Sequence, residues 1–120
     1  MSSYIFPQTG LSFQTFEKNI KRLIYNKKYY FLEYYYNFNI SLFFNKKKID
    51  LLTLEILDEL PYRKLKENII TGISKYNFFN SEKLKENAAD FFLFSKEYFK
   101  AINVLNSSKS DLSYFYRGYA

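Results

Sequence analysis

The chain contains no cysteine, no histidine and no tryptophan among its 120 residues. Without cysteine it can form no disulfide framework, no zinc–thiolate site and no thiol nucleophile. Without histidine it lacks the usual general base and the commonest metal ligand, and its serines have no partner for a conventional catalytic triad. We therefore expect a protein that is not an enzyme and that carries no metal or cofactor.

Glycine and long apolar runs are also scarce. The three glycines, Gly10, Gly72 and Gly118, are isolated, and none lies in a phosphate-binding loop. No apolar run approaches the length of a membrane span, and residues 1–7 lack the pattern of a signal peptide. Together with the absence of cysteine, these features predict a cytoplasmic protein.

Aromatic residues are abundant, with 13 Tyr and 14 Phe. Lys, Asn and Ile are frequent too, and all five residue types have AT-rich codons. Coding bias therefore explains most of the aromatic excess, and the number of tyrosines alone indicates no function.

Positive charge is concentrated in the first part of the chain. Residues 1–48 contain eight Lys or Arg and two acids, whereas residues 49–120 contain ten of each. The net charge of +6 therefore belongs to the first part. This asymmetry predicts an acidic partner, which could be a protein surface, a nucleic acid or an anionic membrane.

Helical periodicity dominates the sequence. The first apolar face is Phe13, Phe16, Ile20 and Leu23, with Ser12 as its N-cap. Residues 29–44 fit both a helix and a strand, and Asn37-Phe38-Asn39 suggests a break between two short helical pieces. A strand also competes over residues 52–56. Pro61 should open another helix.

The longest periodic segment runs from Leu84 to Leu105, and its spacing predicts one helix. No low-complexity linker interrupts the chain. The prediction is an all-α fold of five to seven helices, arranged as an array of helical hairpins or as a compact helical bundle. We expect one domain over residues 1–120.

An internal repeat supports the array. The segment Ile24–Tyr30 aligns with Leu93–Phe99 at an offset of 69, and half of that offset is the period of tetratricopeptide hairpins. Residues 81–120 resemble that family: Tyr98-x-x-Ala101-Ile102 is similar to its second helix and Tyr114-x-x-Arg117-Gly118 to the start of the next first helix. The resemblance implies a groove that binds a peptide or a partner helix.

Two groups of acids are candidates for a catalytic or metal-binding site. Glu55, Asp58 and Glu59 cluster in sequence, and Glu82, Glu86 and Asp90 follow helical spacing. Lysines lie near both groups, so a solvated helix face is the better interpretation.

The best candidate site is a region in which a block of tyrosines, Tyr29, Tyr30 and Tyr34–Tyr36, is preceded by Lys18, Lys21, Arg22, Lys27 and Lys28 and followed by Lys46–Lys48. Core aromatics flanked by solvated lysines explain it most simply, but the same mixture suits an acidic protein or single-stranded nucleic acid. The leading prediction is a protein–protein interaction module. A small inhibitor or immunity-type protein that blocks a toxin or nuclease, and a single-stranded nucleic-acid binder, are the alternatives. The expected partner-binding residues are Lys27, Lys28, Tyr34, Tyr35, Tyr36, Lys46, Lys47 and Lys48.

Overall fold

The computed structural model describes residues 10–106, which form six α-helices. We number them α1 (Phe13–Tyr25), α2 (Tyr29–Asn39), α3 (Ile49–Glu59), α4 (Arg63–Ser74), α5 (Glu82–Phe94) and α6 (Tyr98–Leu105). A short 3₁₀ turn, Ile40–Leu42, follows α2. No strand occurs within residues 10–106. The prediction of an all-α fold with five to seven helices is confirmed.

The described chain divides into two compact units, with the boundary between Phe79 and Asn80. The first unit contains α1 to α4 and the second contains α5 and α6. The capping-box prediction at Ser108 and Asp111 lies outside the described residues, as does the family-like segment that begins at Tyr114.

Residues 29–42 are helical in two pieces, because α2 ends at Asn39 and the 3₁₀ turn Ile40–Leu42 follows it. The change from one piece to the next thus lies at the end of the expected break, Asn37-Phe38-Asn39. Asparagine often ends helices because its side chain competes for backbone partners. Here the Asn39 amide donates to the Tyr35 carbonyl 3.0 Å away, and the Asn37 amide donates to the Glu33 carboxylate at 3.2 Å. Both partners lie one turn back on the same helix, so both side chains bond within α2, which ends at Asn39.

The core of the first unit is built around Phe16 of α1. Its ring stacks on Phe43 at 4.6 Å between centroids and lies 5.6 Å from Tyr35 and 6.1 Å from Tyr36. Tyr36 is fully buried, and its hydroxyl lies 2.6 Å from the Thr53 hydroxyl of α3. Aromatic rings at these distances add attraction to the area they bury, so Phe16 joins α1 to α2 and to the residues that follow it.

Helices α2 and α4 pack side by side and run parallel. Tyr30 and Tyr62 stack at the starts of the two helices, with ring centroids 5.5 Å apart. Farther along, Asn37 lies against Gly72. Beyond the ends of the helices, Phe44 stacks on Tyr76 at 4.7 Å.

The expected single helix over residues 84–105 is wrong, because the chain turns between α5 and α6. Lys96 adopts a left-handed conformation with φ 61°. The Glu97 N–H bonds to the Phe92 carbonyl and the Lys96 N–H to the Leu93 carbonyl, which is a Schellman closure. Apolar spacing continues across the turn because both helices bury one face against each other.

The α1–α2 turn repeats this geometry at the offset of 69. Lys27 is left-handed with φ 56°, the Lys28 N–H bonds to the Leu23 carbonyl, and the Lys27 N–H bonds to the Ile24 carbonyl. Helices α1 and α5 are both 13 residues long, and each begins with a serine N-cap whose side chain accepts a hydrogen bond from the residue three positions on. The sequence match therefore reflects two helical hairpins with the same turn.

A left-handed turn ends the first unit. Asn77, Phe78, Phe79 and Asn80 have φ values of 51°, 52°, 56° and 59°. Left-handed residues other than glycine each cost roughly 1–2 kcal/mol, and they normally occur singly. This segment is the most strained backbone within residues 10–106.

Candidate partner-binding surface

An aromatic stripe runs along the outer face of α2. Tyr30, Tyr34 and Phe38 are spaced four residues apart, so their side chains follow one another on the same face. Tyr34 stacks on Phe38 with centroids 5.7 Å apart, and it is 53% exposed. Tyr30 is 70% exposed and continues the stripe to Tyr62 of the neighbouring helix. The rings are held in order without being buried.

A polar groove lies beside the stripe, between α2 and α4. Its cavity has a volume of about 300 Å³ and is lined by Glu33, Asn37, Ile40, Asn68, Thr71, Gly72 and Lys75. The groove therefore offers a carboxylate, amides, a hydroxyl and an ammonium group next to a row of exposed rings.

Asn37 forms the floor of the groove. Its amide nitrogen donates to Glu33 and makes a longer contact, 3.5 Å, to the Asn68 carbonyl. Its Oδ1 is buried and has no conventional hydrogen-bond partner within the described chain. A Cβ on Gly72 would lie 2.5 Å from Oδ1, so a Cα hydrogen of Gly72 points at this oxygen as a weak donor. Glycine at this position allows the two helices to approach closely.

The α1–α2 turn presents a second exposed surface. Tyr25, the last residue of α1, is 86% exposed. Arg22, Lys27 and Lys28 surround it, and all three are exposed and form no ion pair with any residue of the described segment. We define Arg22, Tyr25, Lys27, Lys28, Tyr30 and Tyr62 as the turn surface.

The corresponding turn between α5 and α6 is equally aromatic but differently charged. Phe94 and Phe99 occupy the positions of Tyr25 and Tyr30, and they are 89% and 85% exposed. Glu97 replaces Lys28, and it accepts a hydrogen bond from Lys100 at 2.9 Å. The aromatic positions are thus repeated, and so is the lysine at the left-handed position (Lys27 and Lys96), whereas the charge of Lys28 is reversed.

The predicted tyrosines have three different environments. Tyr34 is exposed on the stripe. Tyr35 is half-buried, because its ring stacks on Phe16 and its hydroxyl accepts a hydrogen bond from Asn19 at 2.9 Å. Tyr36 is fully buried, and this burial raises the pKa of its phenol well above the ordinary value. Tyr36 is therefore a core residue, and its prediction as a partner contact is wrong.

The predicted lysines lie at two separate places. Lys27 and Lys28 precede α2, whereas Lys46, Lys47 and Lys48 lie on the exposed connection that follows it. Eleven residues of helix separate the two ends of α2 by about 15 Å. The structure thus places these lysines beyond opposite ends of α2.

The groove and the second aromatic turn were not predicted from the sequence. In the sequence Asn37 indicates a helix break and Gly72 is an isolated glycine, so neither residue signals a contact between two helices. The exposure of Phe94 and Phe99 had a usable signal, because both residues lie in the segment that aligns with residues 24–30.

Nothing in the described segment indicates a metal centre or a membrane span. No group of three His, Cys, Asp or Glu side chains within residues 10–106 could hold a metal ion. Of the helices described here, none is long and apolar enough to cross a bilayer. Comparison of the chain with protein-family models, curated proteins and solved structures gives no match.

Proposed function

We propose that the chain is a non-enzymatic protein-interaction module that binds a segment of another protein along the α2–α4 groove. The observation that supports this function is the ordered row of Tyr30, Tyr34 and Phe38 beside a polar groove, in which both tyrosines are exposed and Phe38 is half-buried. Rings that only filled a core would be buried. Tyrosine is enriched in interface hot spots because it offers a large apolar surface with a polar tip.

The groove suits a short, extended stretch of main chain. Asn68 and Thr71 can both donate and accept hydrogen bonds, as backbone amides require. From Glu33 to Ile40 the groove extends about 10 Å along α2, which is the length of about three extended residues. Lys75 would pair with an acidic side chain, in keeping with the net charge of +6.

The helix positions support a tetratricopeptide-like array as the architecture of this module. Helices α1, α3 and α5 begin at residues 13, 49 and 82, and helices α2, α4 and α6 begin at residues 29, 63 and 98. These intervals lie close to the 34-residue period of that family. The congruent turns at Lys27 and Lys96 add a second, independent similarity between pairs.

The test is affinity capture from lysate of the source organism with the tagged full chain, with and without nuclease. We expect a protein that stays bound after nuclease treatment. Tyr34→Ala should weaken its capture at least fivefold, which corresponds to about 1 kcal/mol for an interface tyrosine. Thr71→Arg should do the same by filling the groove.

Leu51→Ala is the matched control, because Leu51 is an exposed apolar residue of α3 outside the groove. Equal capture by the wild type and the Tyr34→Ala and Thr71→Arg variants would contradict the proposal. If the captured protein is an enzyme that loses activity in a 1:1 complex, the module acts as an inhibitor.

A further inference from the structure

The two repeated turns share a backbone and two aromatic positions, so their differences in charge are informative. Arg22 of the first turn corresponds to Phe91 of the second, and Lys28 corresponds to Glu97. In the second turn Lys100 donates to Glu97 and also lies 5.7 Å from the centre of the Phe92 ring. The pair Glu97–Lys100 is therefore formed within the second turn, and exposed Lys96, the counterpart of Lys27, is the remaining cation of that turn, whereas the first turn carries three cations without an ion-pair partner in the described chain.

The first turn carries concentrated positive charge. Residues 18–32 contain five Lys or Arg and no acid. Of these, Lys21 pairs with Glu17 at 3.9 Å, while Arg22, Lys27 and Lys28 have no ion-pair partner within residues 10–106. The nearest acid that follows, Glu33, accepts a hydrogen bond from Asn37 and faces the groove.

Lys28 also occupies a position that is unfavourable for stability. It is the N-cap residue of α2 and provides no side-chain cap. The start of a helix carries a partial positive charge, so a cation there is repelled, while an anion is attracted. Glu97, at the same position of α6, follows this rule. A residue that breaks a local rule without a local gain indicates a functional role, and an anionic partner would remove the repulsion.

The aromatic rings of this surface have open faces. Tyr25 stacks on no other ring within the described residues, and it is 86% exposed. Tyr30 stacks on Tyr62 at 5.5 Å with an interplanar angle of 26°, and most of its surface is still exposed. Flat open rings beside unpaired cations match bases and phosphates together.

We propose that the turn surface binds single-stranded nucleic acid, with bases stacked on Tyr25 and on the Tyr30–Tyr62 pair and phosphates at Arg22, Lys27 and Lys28. This site shares Tyr30 with the aromatic row of the proposed function, but none of its residues lines the α2–α4 groove, and the proposal does not depend on protein binding there. The second turn has the same aromatic positions and keeps Lys96 in place of Lys27, but Phe91 and Glu97 stand in place of Arg22 and Lys28, so it should bind far more weakly. Each base stacked on an aromatic ring contributes roughly 1–3 kcal/mol to such complexes.

The experiment is a fluorescence anisotropy titration of the full chain against a labelled oligouridine of about 20 nucleotides, longer than single-domain sites. Three phosphate contacts predict that the logarithm of the affinity falls with the logarithm of salt concentration with a slope of about −2. Tyr25→Ala should weaken binding by roughly tenfold. Lys28→Glu, which gives the first turn the charge of the second, should weaken it at least as much and lower the slope.

Two matched controls accompany these variants. Phe94→Ala removes the ring at the corresponding position of the second turn. Lys83→Glu changes the net charge as much as Lys28→Glu does, at an exposed residue of α5. Both should bind oligouridine within about twofold of the wild type. Far-UV circular dichroism should show a folded Lys28→Glu variant, because glutamate suits a helix N-terminus.

Three outcomes would overturn the proposal. The first is no binding of oligouridine at low salt. The second is binding that Lys83→Glu weakens as much as Lys28→Glu does, which would indicate only diffuse charge. The third is equal competition by polyglutamate or by vesicles containing anionic lipid, which would assign the surface to an acidic protein or to a membrane. None of these outcomes bears on nuclease-resistant capture through Tyr34.

Discussion

Replacing Tyr36 with phenylalanine should change stability in opposite directions at neutral and at high pH. The Thr53 hydroxyl donates its single hydrogen to the Ile49 carbonyl at 2.8 Å. The hydrogen in the 2.6 Å contact between Tyr36 and Thr53 must therefore come from Tyr36. Tyr36→Phe removes this donor and leaves a buried acceptor on Thr53. The expected loss of stability at pH 7 is about 1 kcal/mol.

At high pH the buried phenol itself becomes unfavourable. Burial raises the pKa of Tyr36 in the folded protein, while the unfolded chain ionises near the ordinary value of about 10. A raised folded pKa gives stability that is complete below the unfolded pKa and lost as pH rises above it. The wild type should therefore lose about 1.4 kcal/mol for each pH unit above about 10, and the variant should not lose this part.

The assay is urea unfolding of wild type and Tyr36→Phe from pH 7 to about pH 11, followed by far-UV circular dichroism. The difference in the free energy of unfolding should shrink and then change sign between about pH 10 and 11. Other titrating groups are common to both proteins and cancel. Tyr34→Phe is the control, because its hydroxyl is exposed and should matter little at any pH. A difference for Tyr36→Phe that stays constant with pH would refute the reasoning.

Two further predictions concern backbone positions. Gly72→Ala should destabilise the chain by roughly 1–3 kcal/mol, although alanine is the better helix former, because its Cβ would lie 2.5 Å from Asn37 Oδ1. The double variant Gly72→Ala, Asn37→Ala should be more stable than Asn37→Ala alone. If thermal unfolding shows that Gly72→Ala lowers stability equally with and without Asn37, this contact is contradicted. Lys96→Gly and Lys27→Gly should each stabilise by roughly 0.5–1 kcal/mol, because both positions are left-handed helix ends that glycine prefers. A lowered melting temperature for Lys96→Gly would show that its left-handed backbone is not strained.

Much of the fold follows from local sequence signals. The apolar spacing of Phe16 and Ile20 identifies the buried face of α1, and Ser12 caps it as expected. Pro61 marks the start of the next helix to within two residues, since α4 begins at Arg63. These features depend on neighbouring residues alone, so the sequence suffices for them.

The features that the sequence did not reveal depend on residues far apart in the chain. Tyr36 looks like Tyr34 in sequence, and only the packing of Phe16 and Thr53 decides which ring is buried. The turn at Lys96 lies within a continuous apolar pattern. Its left-handed position is occupied by lysine and not by glycine, so the sequence lacks the usual signal of a helix end there. The groove requires Asn37 and Gly72 to meet across two helices. Periodicity describes one helix at a time and carries no information on such pairs.

The left-handed segment from Asn77 to Asn80 has a backbone that suits residues of the opposite chirality. Four successive residues there adopt the conformation that natural amino acids avoid and their mirror images prefer. In a chemically synthesised chain, a D-residue at Phe79 would relax the backbone at that position, whereas a D-residue in the middle of α4 would break the helix. The backbone of these four residues, at the boundary of the two units, therefore has the opposite hand to the six α-helices.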